Sequence, residues 1–133
     1  MSFLNKIFGS SEGDKKQEFN EAPKFYTLTN RDEFETIDAI SHEKPVVIFK
    51  HSTRCSISRF ALKRFDTDYA FSEEKMDWYL LDLLNYRDLS NEIAIRYAVE
   101  HQSPQIVVIR NGKAVFNASH DNIDVTDLKQ FIL

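Results

Sequence analysis

The chain has 133 residues, a net charge of −4 and 42% hydrophobic side chains, with eleven Phe among its aromatics. That is enough apolar material to close one core, so a packed interior is expected rather than disorder, and no basic patch stands out to mark nucleic acid as a partner. A single cysteine excludes an internal disulfide and suits a reducing compartment.

Residues 1–22 differ from the rest and read as an N-terminal tail and linker, followed by one domain over 23–133. Phe3, Leu4, Ile7 and Phe8 recur at helical spacing, and "GSSEGDKKQE" is a polar connector. The opening residues lack the apolar run of about seven or more that a secretory signal needs. No stretch approaches the roughly 18 apolar residues of a membrane span. The expectation is a cytoplasmic protein with no stable membrane insertion.

From residue 24 the elements alternate. "KFYTL" is a short strand, and "TNRDEFETIDAISHE" a helix with Thr29 or Asn30 as N-cap and Phe34, Ile37 and Ile40 facing inward. "PVVIFK" is nearly continuous β-branched and aromatic sequence, as a strand buried on both faces requires. Ile57, Ala61, Phe65 and Tyr69 fall four apart and predict a helix from about Cys55 to about Ala70. "MDWYLLDLL" is a further strand. "DLSNEIAIRYAVE" is a helix with Ser90 as N-cap and Ile93 and Tyr97 inward. In "QIVVIRNGKAVFNAS" two apolar runs flank Asn111-Gly112, the preferred pair for a type I′ hairpin turn. "VTDLKQFIL" closes the chain as a helix with Leu128, Phe131 and Ile132 inward. The order β-α-β-α-β-α-β-β-α predicts an α/β fold. A mixed central sheet carries helices on both faces, with parallel crossovers between strands separated by helices and an antiparallel hairpin at the edge.

In "FKHSTRCSIS" a strand gives way to a helix, with Cys55 at the junction. Open α/β sheets place their ligands at the carboxyl ends of strands, and a helix N-terminus favours an anion. Arg54 adds a positive charge, and Ser52, Thr53, Ser56 and Ser58 make the surroundings polar. This setting favours the nucleophilic thiolate over the buried, inert cysteine that is the common alternative. Ser58 stands where C-x-x-C proteins carry a second cysteine; it also fits a helix-surface or back-bonding serine. Pro104 opens the strand that leads into the hairpin. It fits a trans loop proline, or a cis one that presents the backbone of Ser103 beside the thiol.

Taken together, "KHSTRCSIS" and "SPQIVVIRNGKAV" resemble the monothiol bacilliredoxins, a family of thioredoxin-like fold, over about residues 25–133. The "F-L-x-K-I-F-G" opening is also similar. The family motif is of the T-C-P-I-S type; here Thr53 and Arg54 precede the cysteine and Ser56 replaces the proline. The resemblance implies that Cys55 is the nucleophile that accepts bacillithiol from bacillithiolated proteins. It implies that Ser58 replaces a resolving cysteine and that Pro104 is a cis-proline beside the active site. It also implies a thiol–disulfide oxidoreductase with a low-molecular-weight thiol as co-substrate and no bound cofactor.

His51 lies four residues before Cys55, too far along a strand end to serve as a paired base. His42, His101 and His120 have no metal-ligand spacing, so no metal is expected. Asp82 reads as a strand-end acid. Two further functions compete: a non-catalytic thioredoxin-like binding module, and an iron–sulfur carrier that draws on external thiols because one cysteine supplies too few ligands.

Overall fold

The computed structural model describes residues 24–132. The boundary expected near residue 22 and the N-terminal stripe lie outside the described residues. Five strands form one mixed sheet: β1 (Tyr26–Thr27), β2 (Val46–His51), β3 (Asp77–Asp82), β4 (Gln105–Arg110) and β5 (Lys113–Ser119), in the spatial order β1-β3-β2-β4-β5. The helices are α1 (Glu33–Ile40), α2 (Ser56–Asp68) and α3 (Arg87–Arg96), and the chain ends in 3₁₀ turns at His120–Asn122 and Val125–Phe131.

β2 is buried along its whole length, and its alternating side chains feed two cores. Val46 and Ile48 join Phe34, Ile37, Leu89 and Ile93 on the face covered by α1 and α3. Val47 and Phe49 join Ala61, Phe65, Tyr69 and Leu128 on the face covered by α2 and the C-terminal turns. On that second face the Phe65 ring meets the Trp78 ring edge-on at 4.9 Å. Such aromatic pairs add about 0.5–1.5 kcal/mol beyond the area they bury.

The expected order of elements is found, with local corrections. β4 runs antiparallel to β2, so the change of direction falls at β2–β4 and the crossover through α3 is not parallel; only β1–β3 and β3–β2 are parallel pairs. Neither Thr29 nor Asn30 caps α1. Their backbone N–H groups donate to the Glu33 carboxylate at 2.8 and 3.1 Å, and the helix starts at Glu33. α3 starts three residues before Ser90, because Asp82 accepts from the Leu84 amide and the Asn85 side chain and organises the turn ahead of it. Ser90 is therefore a buried interior residue. In α2, Ile57 is 60% exposed, while Ser58, Ala61 and Phe65 face inward. The closing helix is 3₁₀, capped by Asp124, whose side chain accepts from the Thr126 amide at 2.9 Å.

The hairpin forms as its turn residues dictate, with positive φ at both Asn111 (55°) and Gly112 (74°). Buried Ser41, just past α1, holds the turn in place. Its carbonyl accepts from the Asn111 N–H at 2.8 Å and its hydroxyl accepts from the Gly112 N–H at 2.8 Å, while the hydroxyl donates to the Asp38 carbonyl. Ser41→Ala is expected to cost about 1–3 kcal/mol by leaving the Gly112 amide without its acceptor. Chemical denaturation and faster hydrogen exchange at Gly112 would register it; unchanged exchange there would contradict this role for Ser41.

Candidate functional site

β2 ends at His51, and a short turn closed by the Cys55 N–H to the Ser52 carbonyl (3.2 Å) carries the chain into α2. Cys55 is the N-cap residue, with extended backbone (φ −102°, ψ 122°), and its side chain takes no capping hydrogen bond. The sulfur is thus left for other chemistry, half-buried at the positive end of the helix. Thr53 and Arg54 are exposed on the turn. The Thr53 carbonyl accepts from the Arg59 guanidinium at 3.3 Å, which ties the turn to the second turn of the helix.

Ser58 is fully buried and points back at the strand it follows. Its hydroxyl accepts from the Ser52 N–H at 2.9 Å and lies 2.8 Å from Nδ1 of His51. The Nδ1 and hydroxyl thus share one hydrogen bond, which holds the ring against the first turn of α2. Burial pushes the His51 pKa down and Arg59 lowers it further, against an opposing pull from Asp82. Asp82 sits opposite His51 in the β2–β3 register, at the end of its strand as expected. His51 thus contacts Ser58, not Cys55.

The Ser103–Pro104 bond is cis. Gln105 pairs with Lys50, so register places Pro104 and Ser103 at the same end of the sheet as His51 and the turn to Cys55. The Pro104 carbonyl accepts from the His120 N–H at 3.0 Å, and Ser103 is partly exposed. The cis alternative is the one found. His42 and His120 are exposed.

One buried polar group escaped the sequence reading. Lys50 follows Val46 and Ile48 on the opposite face from His51 and is 0% exposed. Its ammonium donates to Gln105 Oε1 and to His101 Nδ1, each at 2.8 Å, and burial pushes its pKa down to about 8. Gln105 in turn donates to the Glu100 carbonyl at 3.0 Å and accepts from the Gln102 N–H at 3.3 Å. Lys50 therefore fastens the loop that leads to Pro104 onto the strand that leads to Cys55. The single Lys within an apolar run was the available signal, but its neutral partners lie 51 and 55 residues away.

These features define a thioredoxin-fold protein with one thiol at the start of its second helix and a cis-proline at the same end of the sheet. A solved structure described as an oxidoreductase candidate with a thioredoxin fold is 37% identical, covering 80% of this chain and 92% of its own, with a TM-score of 0.67. Thioredoxins from Malassezia sympodialis and Fasciola hepatica share the fold at TM-scores of 0.63 and 0.59. They are 18% and 20% identical, covering 86% and 81% of this chain and 95% and 96% of their own. The family described as monothiol bacilliredoxin BrxC matches residues 26–128, and the chain belongs to that family.

The buried lysine makes stability depend on pH. Unfolded, Lys50 holds its proton to about pH 10.5; folded, it releases it near 8. Between these values the unfolded chain binds more protons, so the unfolding free energy rises with pH, by at most about 1.4 kcal/mol per unit. Lys50→Met should remove this rise. Urea denaturation of both proteins over that range tests it, and equal pH slopes would contradict it.

Proposed function

We propose that this protein is a monothiol thiol–disulfide oxidoreductase that removes bacillithiol from protein mixed disulfides by taking it onto Cys55. The observation that carries the reading is the placement of the chain's single cysteine, half-buried at the start of α2 with no capping bond to its sulfur, while a buried serine stands three residues on. Membership of the monothiol bacilliredoxin family supports a redox role and thiol-bearing partners. The oxidoreductase description of the 37% identical structure supports it too.

In the proposed step the Cys55 thiolate attacks the bacillithiol sulfur of the mixed disulfide. A new S–S bond forms between Cys55 and bacillithiol as the bond between bacillithiol and the client protein breaks. The electron pair goes to the client sulfur, which leaves as a thiolate and takes a proton from solvent. Oxidation passes from one disulfide to another, so no further oxidant is needed. Free N–H groups in the first turn of α2 favour the anion that attacks. Ile57 and Phe60, 60% and 79% exposed, give a client polypeptide an apolar surface on the outer side of the same helix. The Ser58 oxygen forms no disulfide, so the adduct waits on Cys55 for a second thiol or a reductase.

Intact mass after mixing reduced protein with a bacillithiol mixed disulfide, and separately with a glutathione one, tests the reading. A gain of one bacillithiol at Cys55, faster than the gain of glutathione and abolished in Cys55→Ser, is expected. Ser58→Ala should retain the exchange while losing about 1–3 kcal/mol of stability for each of the two groups left without a partner, the Ser52 amide and His51 Nδ1. Equal or absent modification by the two thiols would contradict the proposal.

A further inference from the structure

At about 100° per residue, the buried stripe of α2 (Ser58, Ala61, Phe65) separates two flanks of different chemistry. Ile57, Phe60 and Arg64 fall on one flank, where they line a shallow apolar recess with His120. Arg59, Lys63 and Asp66 fall on the other, where with Leu62 they line a groove of about 370 Å³ floored by Phe25 and Trp78 and closed at one end by His51. The Arg59 N–H donates to the Cys55 carbonyl at 3.0 Å, which sets Cys55 one helical turn before Arg59. The groove therefore begins one turn beyond the residue that carries the thiol.

Its charge is selective. Asp66 is engaged by Lys24, whose ammonium donates to the Asp66 carbonyl at 2.6 Å and lies 3.8 Å from its carboxylate. Among the described residues, no carboxylate forms an ion pair with Arg59 or Lys63. The groove thus offers two cations in succession above an apolar floor of aromatic and aliphatic side chains. That combination suits a small ligand with a sugar-like body and carboxylates at its far end. The volume lies within the range of small-molecule clefts, roughly 300–1,000 Å³.

We propose that the groove lined by Phe25, Arg59, Leu62, Lys63 and Trp78 holds the non-sulfur part of the small thiol, with the carboxylates of its malate group on Arg59 and Lys63. This deepens the function proposed above and rests on it. Bacillithiol carries its cysteine on an amino sugar that bears the malate, so a sulfur at Cys55 would direct the sugar over the floor and the malate to the cations. The small thiol and the client protein would then occupy opposite flanks of α2, and the client could depart without crossing the retained adduct.

The test measures the rate of adduct formation at Cys55 with bacillithiol disulfide and with the neutral hydroxyethyl disulfide, in wild type and in Lys63→Glu. The substitution should slow bacillithiol about fivefold, more at low salt, and leave the neutral disulfide unaffected. A bacillithiol disulfide without the malate should be as insensitive as the neutral one. Equal slowing of all three disulfides would make Lys63 a structural residue and overturn the proposal. An unchanged bacillithiol rate would also overturn it. If wild type exchanges with the neutral disulfide and takes no bacillithiol, the underlying function fails, a result distinct from either.

Discussion

The buried Ser58 hydroxyl takes the Ser52 amide at 2.9 Å and meets the His51 ring at 2.8 Å, joining the first turn of α2 to the end of β2. The turn between them carries the thiol, so its geometry is set by this joint. Unmaking it would strand a buried amide and a buried ring nitrogen, a cost of about 1–3 kcal/mol for each group left unsatisfied. The same joint holds the His51 imidazole on the Ser58 hydroxyl. Where a dithiol protein would place a second sulfur, this chain has an oxygen engaged at both ends.

The other face of β2 has a matching device. Lys50, next to His51 in sequence, points into the opposite core and binds Gln105 and His101. A buried ammonium held only by neutral acceptors carries an unrelieved desolvation cost, which is why its pKa falls to about 8. In return the loop before cis-Pro104 is held at a fixed place along β2. Two adjacent strand residues thus anchor, on opposite faces, the two segments that meet at this end of the sheet. The alternation of side chains along one strand is what allows both to be anchored at once.

Much of this was legible in the chain. The apolar run over β2, the Asn111-Gly112 turn and the spacing of Phe34 and Ile37 each specify an element locally, and the thiol's position at a strand-to-helix junction follows from two of them. What escaped detection depends on pairs distant in sequence or on polar groups inside the fold. In α2 the four-residue spacing holds for Ala61, Phe65 and Tyr69, which are buried, while Ile57 at its start is exposed and Ser58 takes the inward place because its hydroxyl finds two partners. The start of α3 was misplaced because Asp82 organises the turn before it and Ser90 is needed against His101, from which its hydroxyl is 3.5 Å away. The direction of β4 could not be read from the order of elements, since a helical connection allows either sense once the strand sits on the far side of β2. The pairing of Lys50 leaves no sequence signal because both of its partners are neutral and distant in the chain.

The central claim is that exchange at this site stops after one step, with the small thiol retained on Cys55. The most direct measurement mixes equimolar reduced protein and a bacillithiolated client, then counts client thiol, free bacillithiol and bacillithiolated Cys55 over time. The account predicts that client thiol and the Cys55 adduct rise together, one for one, with no free bacillithiol until a second thiol is added. Release of free bacillithiol without the adduct, or a lasting disulfide between Cys55 and the client, would contradict it.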